Sequence, residues 1–599
     1  MTTRAPKRVL KRLISSLWGA RAPEHNAEGV RLLQANRVAE AVRCFERAIA
    51  ADPGYADATN NLGAALLRLG RGEEAVGHFR RAIELDPDNG ETRANLGEAL
   101  TLAGAPEDAV AALDEALRRD ASNSHAHAAL LRPLLELCAW PELEREVRLL
   151  VKAWERDPGG GWLRYFRPLT ALQLPLPPAL QREIAVRNAR AVTSRARAIP
   201  RLAAATPRLA RGERLRVGYV SADFRDHPVG QLVAGLLERH DRSRFEIFGY
   251  SCGRDDGSSC RNRIAAACDR FADVLGEPFH ATAQRIARDG IHVLVDLMGP
   301  TSKSRPEIFA LRPAPVQLGW LGYPGTTGAS EIDYIVADAV VLPEFDFEWY
   351  TERVAWLPNC YLPYDDRQPI AERPPTRREC GLPEHGAVFC AFNQVAKIDA
   401  EVFAVWMRVL QATAGSVLWL SAANAGAVGN LRAAAARDGV DPARLVIAPR
   451  VAAKADHLAR HRVADLFLDT HRYNAHTTAC DALWAGLPLV TCPGTRFPAR
   501  VAASLLRAVG LPELIAASLE EYERLAIELV HAPAKLAGLR MRLDAARRTA
   551  PLFDTARFAR DLERAYTIMW DRHAAGMPPR PLAVGDEVDA VAAVPSVLP

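Results

Sequence analysis

Hydrophobic and polar residues follow two different rhythms along this chain, and the rhythm changes near Arg214. Before that point, small and aromatic residues recur with helical spacing and at a long, fixed period. After it, short apolar runs alternate with amphipathic stretches. Long helical periodicity predicts a stack of helices, and short apolar runs between amphipathic stretches predict buried strands covered by helices. The pattern therefore predicts an all-α region followed by an α/β region.

The first 125 residues repeat at a period of 34. The repeated positions are Gly29, Gly63 and Gly97; Ala41, Ala75 and Ala109; Phe45, Phe79 and Leu113; Ala48, Ala82 and Ala116; Asp52, Asp86 and Asp120. The period, and the small residues where paired helices would touch, resemble the tetratricopeptide repeat. A fourth, degenerate unit is predicted from His125 to Asp157. Such hairpins stack into a solenoid with a groove that binds peptides or protein surfaces, although an array that only packs on the next domain remains an alternative.

The α/β region contains two sets of apolar runs separated by the stretch PPTRRECGLPEHG. Runs of this length, broken by turn residues, predict strands of two parallel, Rossmann-like sheets. The first set is 215–221, 245–251, 291–297, 316–323, 333–338 and 353–358, and the second set is 387–392, 416–420, 444–449, 465–470 and 487–492. Ligands of such sheets bind at the carboxyl ends of the strands, so we expect a crevice between the halves.

These boundaries give a plan of six segments. We predict a basic leader at 1–24, tetratricopeptide repeats at 25–158, a linker and helix at 159–213, an N-terminal Rossmann-like half at 214–375, a C-terminal Rossmann-like half at 376–575 and a disordered tail at 576–599. The leader is amphipathic, so it is either a solvated extension or a weak membrane-surface helix. The tail is rich in Pro and Ala with few aromatics, which is typical of disorder.

Composition narrows the class of protein. The net charge is +4 over 599 residues, which does not favour nucleic acid as a partner. Ten scattered cysteines without a C-x-x-C pair indicate a reduced compartment, and we predict a cytoplasmic protein. No apolar run reaches about 18 residues, so we expect no transmembrane segment. Neither half carries G-x-G-x-x-G or a P-loop, which argues against a dinucleotide or ATP site.

The stretch HTTACD, residues 476–481, lies where a helix is predicted to begin after a strand that ends near Asp469. A helix start carries unpaired N–H groups and partial positive charge, so it can bind an anion. Threonine also caps helices for structural reasons alone, and this stretch by itself does not decide between the two uses.

Five stretches, in this order, resemble the O-linked N-acetylglucosamine transferase family, whose members join tetratricopeptide repeats to a GT-B fold. They are RLRVGYVSADFRDHPV, RPAPVQLGWLGYPGTTG, FNQVAKID, VAAKADHLAR and HTTACDALWAGLPLVT. The resemblance implies an all-α tetratricopeptide solenoid followed by a GT-B fold of two Rossmann-like α/β domains. It also implies an inverting transfer of N-acetylglucosamine from UDP to Ser/Thr hydroxyls of proteins, with no metal or other cofactor.

The resemblance assigns donor-side roles to residues of the C-terminal half. It implies that Gln394, Lys397, His476, Thr477 and Thr478 lie against the diphosphate, and that Asp481 accepts from a ribose hydroxyl. The uracil pocket would be formed by Ala452, Lys454, His457 and Arg460. The family often has Gly before this histidine, whereas this chain has Ala475, which could alter the turn.

The resemblance assigns catalysis to the N-terminal half together with Lys397. His227 would lie near the sugar and the acceptor, Asp223 is a candidate proton acceptor, and backbone near Leu321 and Gly322 would complete the sugar pocket. Family members also place a histidine in the linker before the first sheet, but no histidine lies between His127 and His227 here. Either Asp223 and His227 are enough to accept the proton of the acceptor hydroxyl, or the transferase activity is altered or lost.

Two alternatives therefore stay open. Relatives with the same architecture transfer fucose from GDP, so the chain could be a GDP-fucose protein O-fucosyltransferase. It could also be a non-catalytic nucleotide-sugar-binding scaffold, which the missing linker histidine favours and the donor-side motifs oppose.

Overall fold

The computed structural model describes residues 21–34, 37–197, 199, 209–210, 212–421 and 423–585. Most of the predicted leader and residues 586–599 of the predicted tail lie outside these ranges. The chain divides into two compact units, the first of which ends its main segment at Phe166, while the second contains both sheets.

The first unit consists of helix pairs at the predicted period. Its helices are α1 Ala22–Gln34, α2 Val38–Ala51, α3 Ala56–Arg68, α4 Gly72–Leu85, α5 Gly90–Leu102, α6 Pro106–Arg119, α7 Ser124–Glu136 and α8 Trp140–Arg156. The last pair, α7 and α8, covers the degenerate fourth repeat. The repeated alanines at 41, 75 and 109 are fully buried, as small residues at a helix–helix contact should be.

The repeated glycines are explained by the aromatic and aliphatic residues sixteen positions later. A Cβ atom at Gly29 would lie 2.5 Å from the Phe45 ring, and one at Gly63 would lie 2.8 Å from the Phe79 ring. At Gly97 the same atom would lie 2.4 Å from the Leu113 side chain. Since real Cβ atoms do not approach so closely, each glycine makes room for the large side chain of its own hairpin.

The second unit begins with α9 Pro168–Leu172 and continues with an eight-stranded parallel sheet. The strand order is β13-β7-β6-β5-β4-β1-β2-β3. The strands are β1 Leu215–Ser221, β2 Phe245–Ser251, β3 Arg270–Asp273, β4 Val293–Asp296, β5 Val316–Gly319, β6 Tyr334–Ala337, β7 Arg353–Trp356 and β13 Leu582–Ala583. The helices of this part are α10 Pro178–Arg197, α11 Pro228–Arg239, α12 Ser259–Ala267, α13 Phe279–Arg288 and α14 Pro306–Ala310.

A second parallel sheet of five strands follows in the order β10-β9-β8-β11-β12. Its strands are β8 Val388–Ala391, β9 Val417–Leu420, β10 Leu445–Ile447, β11 Leu466–Leu468 and β12 Leu489–Val490. Its helices are α15 Ala400–Ala412, α16 Ala425–Arg437, α17 Lys454–Arg460, α18 Thr477–Trp484, α19 Val501–Ala508, α20 Leu519–His531 and α21 Pro533–Ala546. The final helix is α22 Thr555–Ala574. The two parallel sheets confirm the predicted pair of Rossmann-like halves.

Two strands lie outside the apolar runs from which strands were predicted. Strand β3 has exposed charged ends at Arg270 and Asp273, so it shows no apolar run. Strand β13 lies in the segment predicted as a disordered tail, yet Leu582 pairs with Ala355 of β7 and Ala583 with Trp356. The prediction of disorder is therefore wrong for Leu582 and Ala583. Two residues at a sheet edge are too few to give a sequence signal.

Within the ranges given above, no helix combines the length and apolar character needed to cross a bilayer.

Candidate functional site

The carboxyl edge of the second sheet presents the start of helix α18. The helix begins at Thr477 directly after His476, whose carbonyl accepts hydrogen bonds from the N–H groups of Ala479 and Cys480. His476 makes no side-chain cap bond to the helix. The hydroxyls of Thr477 and Thr478 take part in no hydrogen bond with the residues that the structure describes. Free hydroxyls and unpaired N–H groups at a helix start can bind an anion.

Asp469 holds the loop that leads to this helix start. One carboxylate oxygen accepts from the N–H groups of Thr470 at 2.9 Å and Ala475 at 2.7 Å, and the other accepts from the Thr491 hydroxyl at 2.7 Å. Burial raises the pKa of Asp469 to about 7, against these hydrogen bonds. The backbone of Ala475 does not adopt a positive φ, so alanine replaces the family's glycine without conformational strain.

His476 is fixed by its neighbours in one tautomer. Its Nε2 lies 3.1 Å from the carbonyl oxygen of Pro498, and because a carbonyl only accepts, Nε2 carries the proton. The imidazole stacks on the Tyr473 ring, with centroids 4.9 Å apart and planes 21° apart. Burial lowers the pKa of His476 well below its usual range, and the nearby Lys397 lowers it further. The neutral imidazole therefore leaves Nδ1 as an acceptor.

Lys397 reaches the same place from the neighbouring strand β8. It ends a short turn, Val395–Lys397, just before Asp399 caps helix α15 by accepting from Glu401 and Val402. The Lys397 ammonium donates to the Asn474 carbonyl at 2.9 Å and lies 4.4 Å from the Tyr473 ring centroid. Burial lowers its pKa to about 8, while Asp469 opposes that shift.

Gln394 directly precedes the short turn that ends at Lys397. Gln394 is exposed, and its backbone carbonyl accepts a hydrogen bond from the Lys397 N–H at 2.9 Å. Its side chain has no hydrogen bond within the described chain, so the amide is available to a ligand.

A second cluster forms around the buried carboxylate of Asp481, one helical turn after Thr477. Lys454 donates to Asp481 Oδ2 at 2.5 Å, and His457 Nε2 lies 3.7 Å from the same oxygen. Tyr364 donates from its hydroxyl to Asp481 Oδ1 at 3.1 Å. Burial and the neighbouring cations Arg460 and Lys454 lower the pKa of His457 to about 3, so this imidazole is neutral at physiological pH.

Arg460 and His457 share one helix face, as their spacing predicts, and both face Phe392. The Arg460 guanidinium lies 4.1 Å from the Phe392 ring centroid and donates to the Pro449 carbonyl at 2.8 Å. The residue is only 7% exposed, so its guanidinium is largely shielded from water. Ala452 lies exposed in the loop before helix α17, where its backbone is accessible.

The first sheet places Asp223 and His227 just after β1. His227 precedes helix α11, and its Nδ1 accepts from the Val229 N–H at 3.3 Å. Asp223 Oδ2 lies 3.4 Å from the same Nδ1, and Asp223 Oδ1 accepts from Arg225 at 3.3 Å. Burial lowers the pKa of His227, while the Asp223 carboxylate opposes that shift.

Asp226 is less closely associated with this pair than Asp223. Its carboxylate accepts from the Gln231 side chain at 2.7 Å, in an exposed position.

The loop after β5 holds Leu321 and Gly322 in a constrained shape. Leu321 has φ of 75°, a region that non-glycine residues rarely adopt. A Cβ atom at Gly322 would lie 2.0 Å from the Leu297 carbonyl oxygen, so only glycine fits there. A strained backbone of this kind persists only where its surroundings hold it in place, and such residues cluster at active sites and ligand-binding loops.

The structure thus brings the predicted donor-side residues into two adjoining clusters and places Asp223 with His227. Sequence reasoning missed Tyr473, Asp469 and Tyr364, which hold the predicted residues in place. Asp469 directly follows strand β11 and could have been found by that position, whereas the aromatic contacts of Tyr473 and the contact of Tyr364 with Asp481 have no sequence signal.

Two parallel Rossmann-like halves, with polar clusters at the carboxyl edge of the second sheet, have the architecture of the GT-B fold. The chain belongs to glycosyl transferase family 41, whose family model matches residues 137–374 and 370–562. Tetratricopeptide models match residues 26–90 and 66–132.

Two curated relatives and one solved structure are similar to much of the chain. The probable UDP-N-acetylglucosamine–peptide N-acetylglucosaminyltransferase SEC of Arabidopsis thaliana is 36% identical over 463 residues, covering 75% of this chain and 47% of that protein. The UDP-N-acetylglucosamine–peptide N-acetylglucosaminyltransferase of Caenorhabditis elegans is 30% identical over 559 residues, covering 74% of this chain and 48% of that protein. The chain thus spans about half the length of these relatives.

The solved structure is a lysine-to-methionine mutant of Thermobaculum terrenum O-GlcNAc transferase. It is 29% identical, with a TM-score of 0.66, and the match covers 96% of this chain and 100% of that chain. The match confirms the predicted order of helical repeats and GT-B fold.

Proposed function

We propose that this protein transfers N-acetylglucosamine from UDP to Ser or Thr hydroxyls of proteins, with inversion and without a metal ion. The observation that carries the proposal is the meeting of Lys397, His476 and the start of helix α18 beside the Asp481 cluster. One group of residues suits a diphosphate and the other suits a nucleoside. The Arabidopsis and Caenorhabditis relatives, which are named as UDP-N-acetylglucosamine–peptide N-acetylglucosaminyltransferases, support the same donor and acceptor classes.

In the proposed donor complex, the diphosphate lies against Gln394, Lys397, His476, Thr477 and Thr478. Because Nε2 of His476 already donates to Pro498, His476 donates to a phosphate oxygen only when Nδ1 gains a proton, and the negative charge of the diphosphate favours that protonation. Asp481 accepts from a ribose hydroxyl, while Lys454, His457, Arg460 and the backbone at Ala452 surround uracil. The sugar meets the backbone at Leu321 and Gly322. Lys397 acts most strongly as the bond breaks, because negative charge then grows on the leaving phosphate oxygen.

In the proposed reaction, the acceptor hydroxyl oxygen attacks the anomeric carbon of the sugar. The bond from that carbon to the β-phosphate oxygen breaks, and UDP leaves with the electron pair. The hydroxyl proton passes to a base, since a Ser or Thr hydroxyl is a weak nucleophile until its proton is being removed. A single displacement on the face opposite to UDP inverts the anomeric configuration.

Asp223 and His227 are the proposed general base, and their contacts limit which atom can accept the proton of the acceptor hydroxyl. When Nδ1 of His227 accepts from Val229, the neutral ring carries its proton on Nε2 and cannot accept there. A switch of the Nδ1 contact from Val229 to Asp223, 3.4 Å away, moves the ring proton to Nδ1 and frees Nε2 as a base. Asp223 can alternatively take the proton itself.

The experiment that tests the donor assignment is titration of the full chain with UDP and with GDP. A ligand that binds only the folded state raises the melting temperature, so we expect a larger rise with UDP. An equal or larger rise with GDP would favour the GDP-fucose alternative. UDP binding without transfer to any protein acceptor would favour the scaffold alternative.

The same titration, repeated in EDTA together with an assay of sugar transfer, tests the proposed metal independence. Lys397 and the helix start supply the positive charge that a divalent ion would otherwise provide, so UDP binding and transfer should survive EDTA. Loss of both on chelation, with recovery in manganese, would contradict this part of the proposal.

We further propose that the repeats recruit the protein acceptor. Deleting residues 1–124 should leave UDP affinity unchanged and reduce transfer to protein acceptors, because the nucleotide site lies in the second unit. Unchanged rates on every protein acceptor would show that the repeats have only a structural role.

We propose a cytoplasmic location as well. All ten cysteines are free thiols, which is compatible with a reducing compartment. Fractionation of cells that express the full chain would test this.

A further inference from the structure

The Tyr473 ring contacts both residues proposed to meet the leaving diphosphate. The Lys397 ammonium lies 4.4 Å from its centroid, and the His476 imidazole stacks on it at 4.9 Å. One aromatic side chain thus joins a residue that follows strand β8 to the residue that precedes helix α18.

The ring is held from its backbone and by apolar neighbours. The Tyr473 carbonyl accepts from the Thr470 hydroxyl at 2.6 Å. Tyr473 also packs in a small buried cluster with Leu172 and Tyr323, against which Leu169 lies. The Tyr473 hydroxyl makes no hydrogen bond to any described residue, so the ring, and not the hydroxyl, makes the contacts with Lys397 and His476.

We propose that Tyr473 is a positioning residue that holds Lys397 and His476 together against the leaving diphosphate. This inference rests on the function proposed above and adds a residue that acts through the other two.

An aromatic ring suits this task because it attracts the ammonium without neutralising it. Lysine has three N–H donors, and the Asn474 carbonyl takes one of them. The nearby carboxylate of Asp469 is already bonded to Ala475, Thr470 and Thr491. The ring therefore stabilises the charge on Lys397 while leaving N–H groups for phosphate oxygens.

The arrangement predicts a pH dependence. The charged group that acts on the pKa of Lys397 is the Asp469 carboxylate, while the Tyr473 ring contacts the ammonium and the neutral His476 lies close by. The diphosphate favours the ammonium form, so UDP affinity and kcat/KM should fall as pH rises through the Lys397 pKa of about 8. Removing the ring lowers that pKa and moves the fall to lower pH, by roughly 0.4 to 1.5 units.

The test is the pH profile of kcat/KM for UDP-N-acetylglucosamine, with UDP affinity by calorimetry over the same range. Tyr473→Phe keeps the ring face and should retain the wild-type midpoint. Tyr473→Leu should shift the midpoint down. A ring-fluorinated phenylalanine at the same position keeps the shape and weakens the attraction to cations, so it should also shift the midpoint down, even if the leucine variant folds poorly.

Two control variants separate the possible causes. Leu172→Ala removes packing from the same cluster without touching Lys397 or His476, so it should lower the melting temperature and leave the midpoint in place. Lys397→Arg keeps its charge at all accessible pH values, so the fall near pH 8 should disappear.

The outcomes distinguish this inference from the proposed function. If wild type neither transfers the sugar nor binds UDP, the proposed function and this inference both fail. If Lys397→Arg leaves the fall near pH 8 unchanged while wild type transfers the sugar, Lys397 is not the titrating group, so this inference fails and the proposed function stands. If the arginine variant removes the fall but the leucine and fluorinated variants keep the wild-type midpoint, the role assigned to Tyr473 is wrong and the proposed function stands.

Discussion

The two Rossmann-like halves differ in how firmly they hold their candidate site residues. In the second half, Lys397 and Asp481 each have short contacts, to Asn474 at 2.9 Å and to Lys454 at 2.5 Å. In the first half, the contacts of Asp223 to Arg225 and His227 are 3.3 Å and 3.4 Å. The His227 side chain is also 34% exposed, against 4% for Asp481.

This difference indicates a division of work. The proposed donor side is fixed in advance, and such a site stabilises developing charge because no group must reorient during the reaction. The acceptor side is looser, as is common for a base whose hydrogen bonds tighten only when the substrate is present. If work is divided in this way, changes in the second half should affect the nucleotide sugar and its leaving group, and changes in the first half should affect proton transfer alone.

The largest effect is expected for Lys397→Ala. It should reduce kcat by roughly 100- to 1000-fold, because a charged contact to the leaving oxygen typically contributes about 2.7–4 kcal/mol. UDP affinity should change much less. Steady-state kinetics with calorimetry measures both, and turnover near that of wild type would mean that Lys397 does not meet the diphosphate.

The next effect is expected on the acceptor side. His227→Ala and Asp223→Asn should each reduce transfer to a Ser/Thr peptide by roughly 100-fold, the usual range for loss of a general base. UDP affinity should stay close to wild type, because the proposed nucleotide contacts lie in the other half. Full activity in both variants would exclude this pair as the base.

A stability measurement is the control for His227. Its side chain caps helix α11, and loss of a cap typically costs about 1 kcal/mol of unfolding free energy. Asp223 does not cap the helix. A loss of rate that appears in both variants therefore does not come from loss of the cap alone.

A smaller effect is expected for Asp481→Asn. A hydrogen bond to a charged group contributes about 1.5–3 kcal/mol, so its loss should weaken UDP binding by roughly 10- to 100-fold. The change in kcat should be smaller. The exposed Asp438→Asn in the same half is the matched control and should bind UDP as wild type does. Equal affinity in both variants would remove Asp481 from the ribose site.

The smallest effect is expected for Tyr364→Phe. This change removes one hydrogen bond to Asp481 and should lower the unfolding free energy by about 0.5–1.5 kcal/mol. Turnover should fall by less than about threefold, since Lys454 still contacts the carboxylate. Denaturant unfolding and kinetics measure the two quantities, and a large loss of turnover would show that the halves are not separable in function.

Much of this fold is predictable because its signals are local. Strands β1 and β2 begin and end where their apolar runs do, and the period of 34 gives the helix pairs. The start of helix α18 after His476 also follows from the sequence, since strand, loop and threonines are adjacent. The rest depends on contacts between distant segments. Nothing near Tyr473 shows that Lys397, 76 positions earlier, packs on its ring.

Strand ends were the least predictable part of the sheets. The run 487–492 predicts six residues, but β12 contains only Leu489–Val490. Thr491 instead donates its hydroxyl to Asp469, and its backbone pairs with Ile515 in an isolated bridge. Apolar runs mark what is buried, and burial continues beyond the last residue that pairs as a strand.

The fit between Gly29 and Phe45, repeated at Gly63 and Gly97, limits how the repeats can diverge. A side chain larger than hydrogen is accommodated at such a glycine only if its partner shrinks or turns away. The two positions of each hairpin must therefore co-vary, whereas exposed residues between them can drift independently. The third pair already shows one permitted exchange, since Leu113 stands where the first two hairpins have phenylalanine.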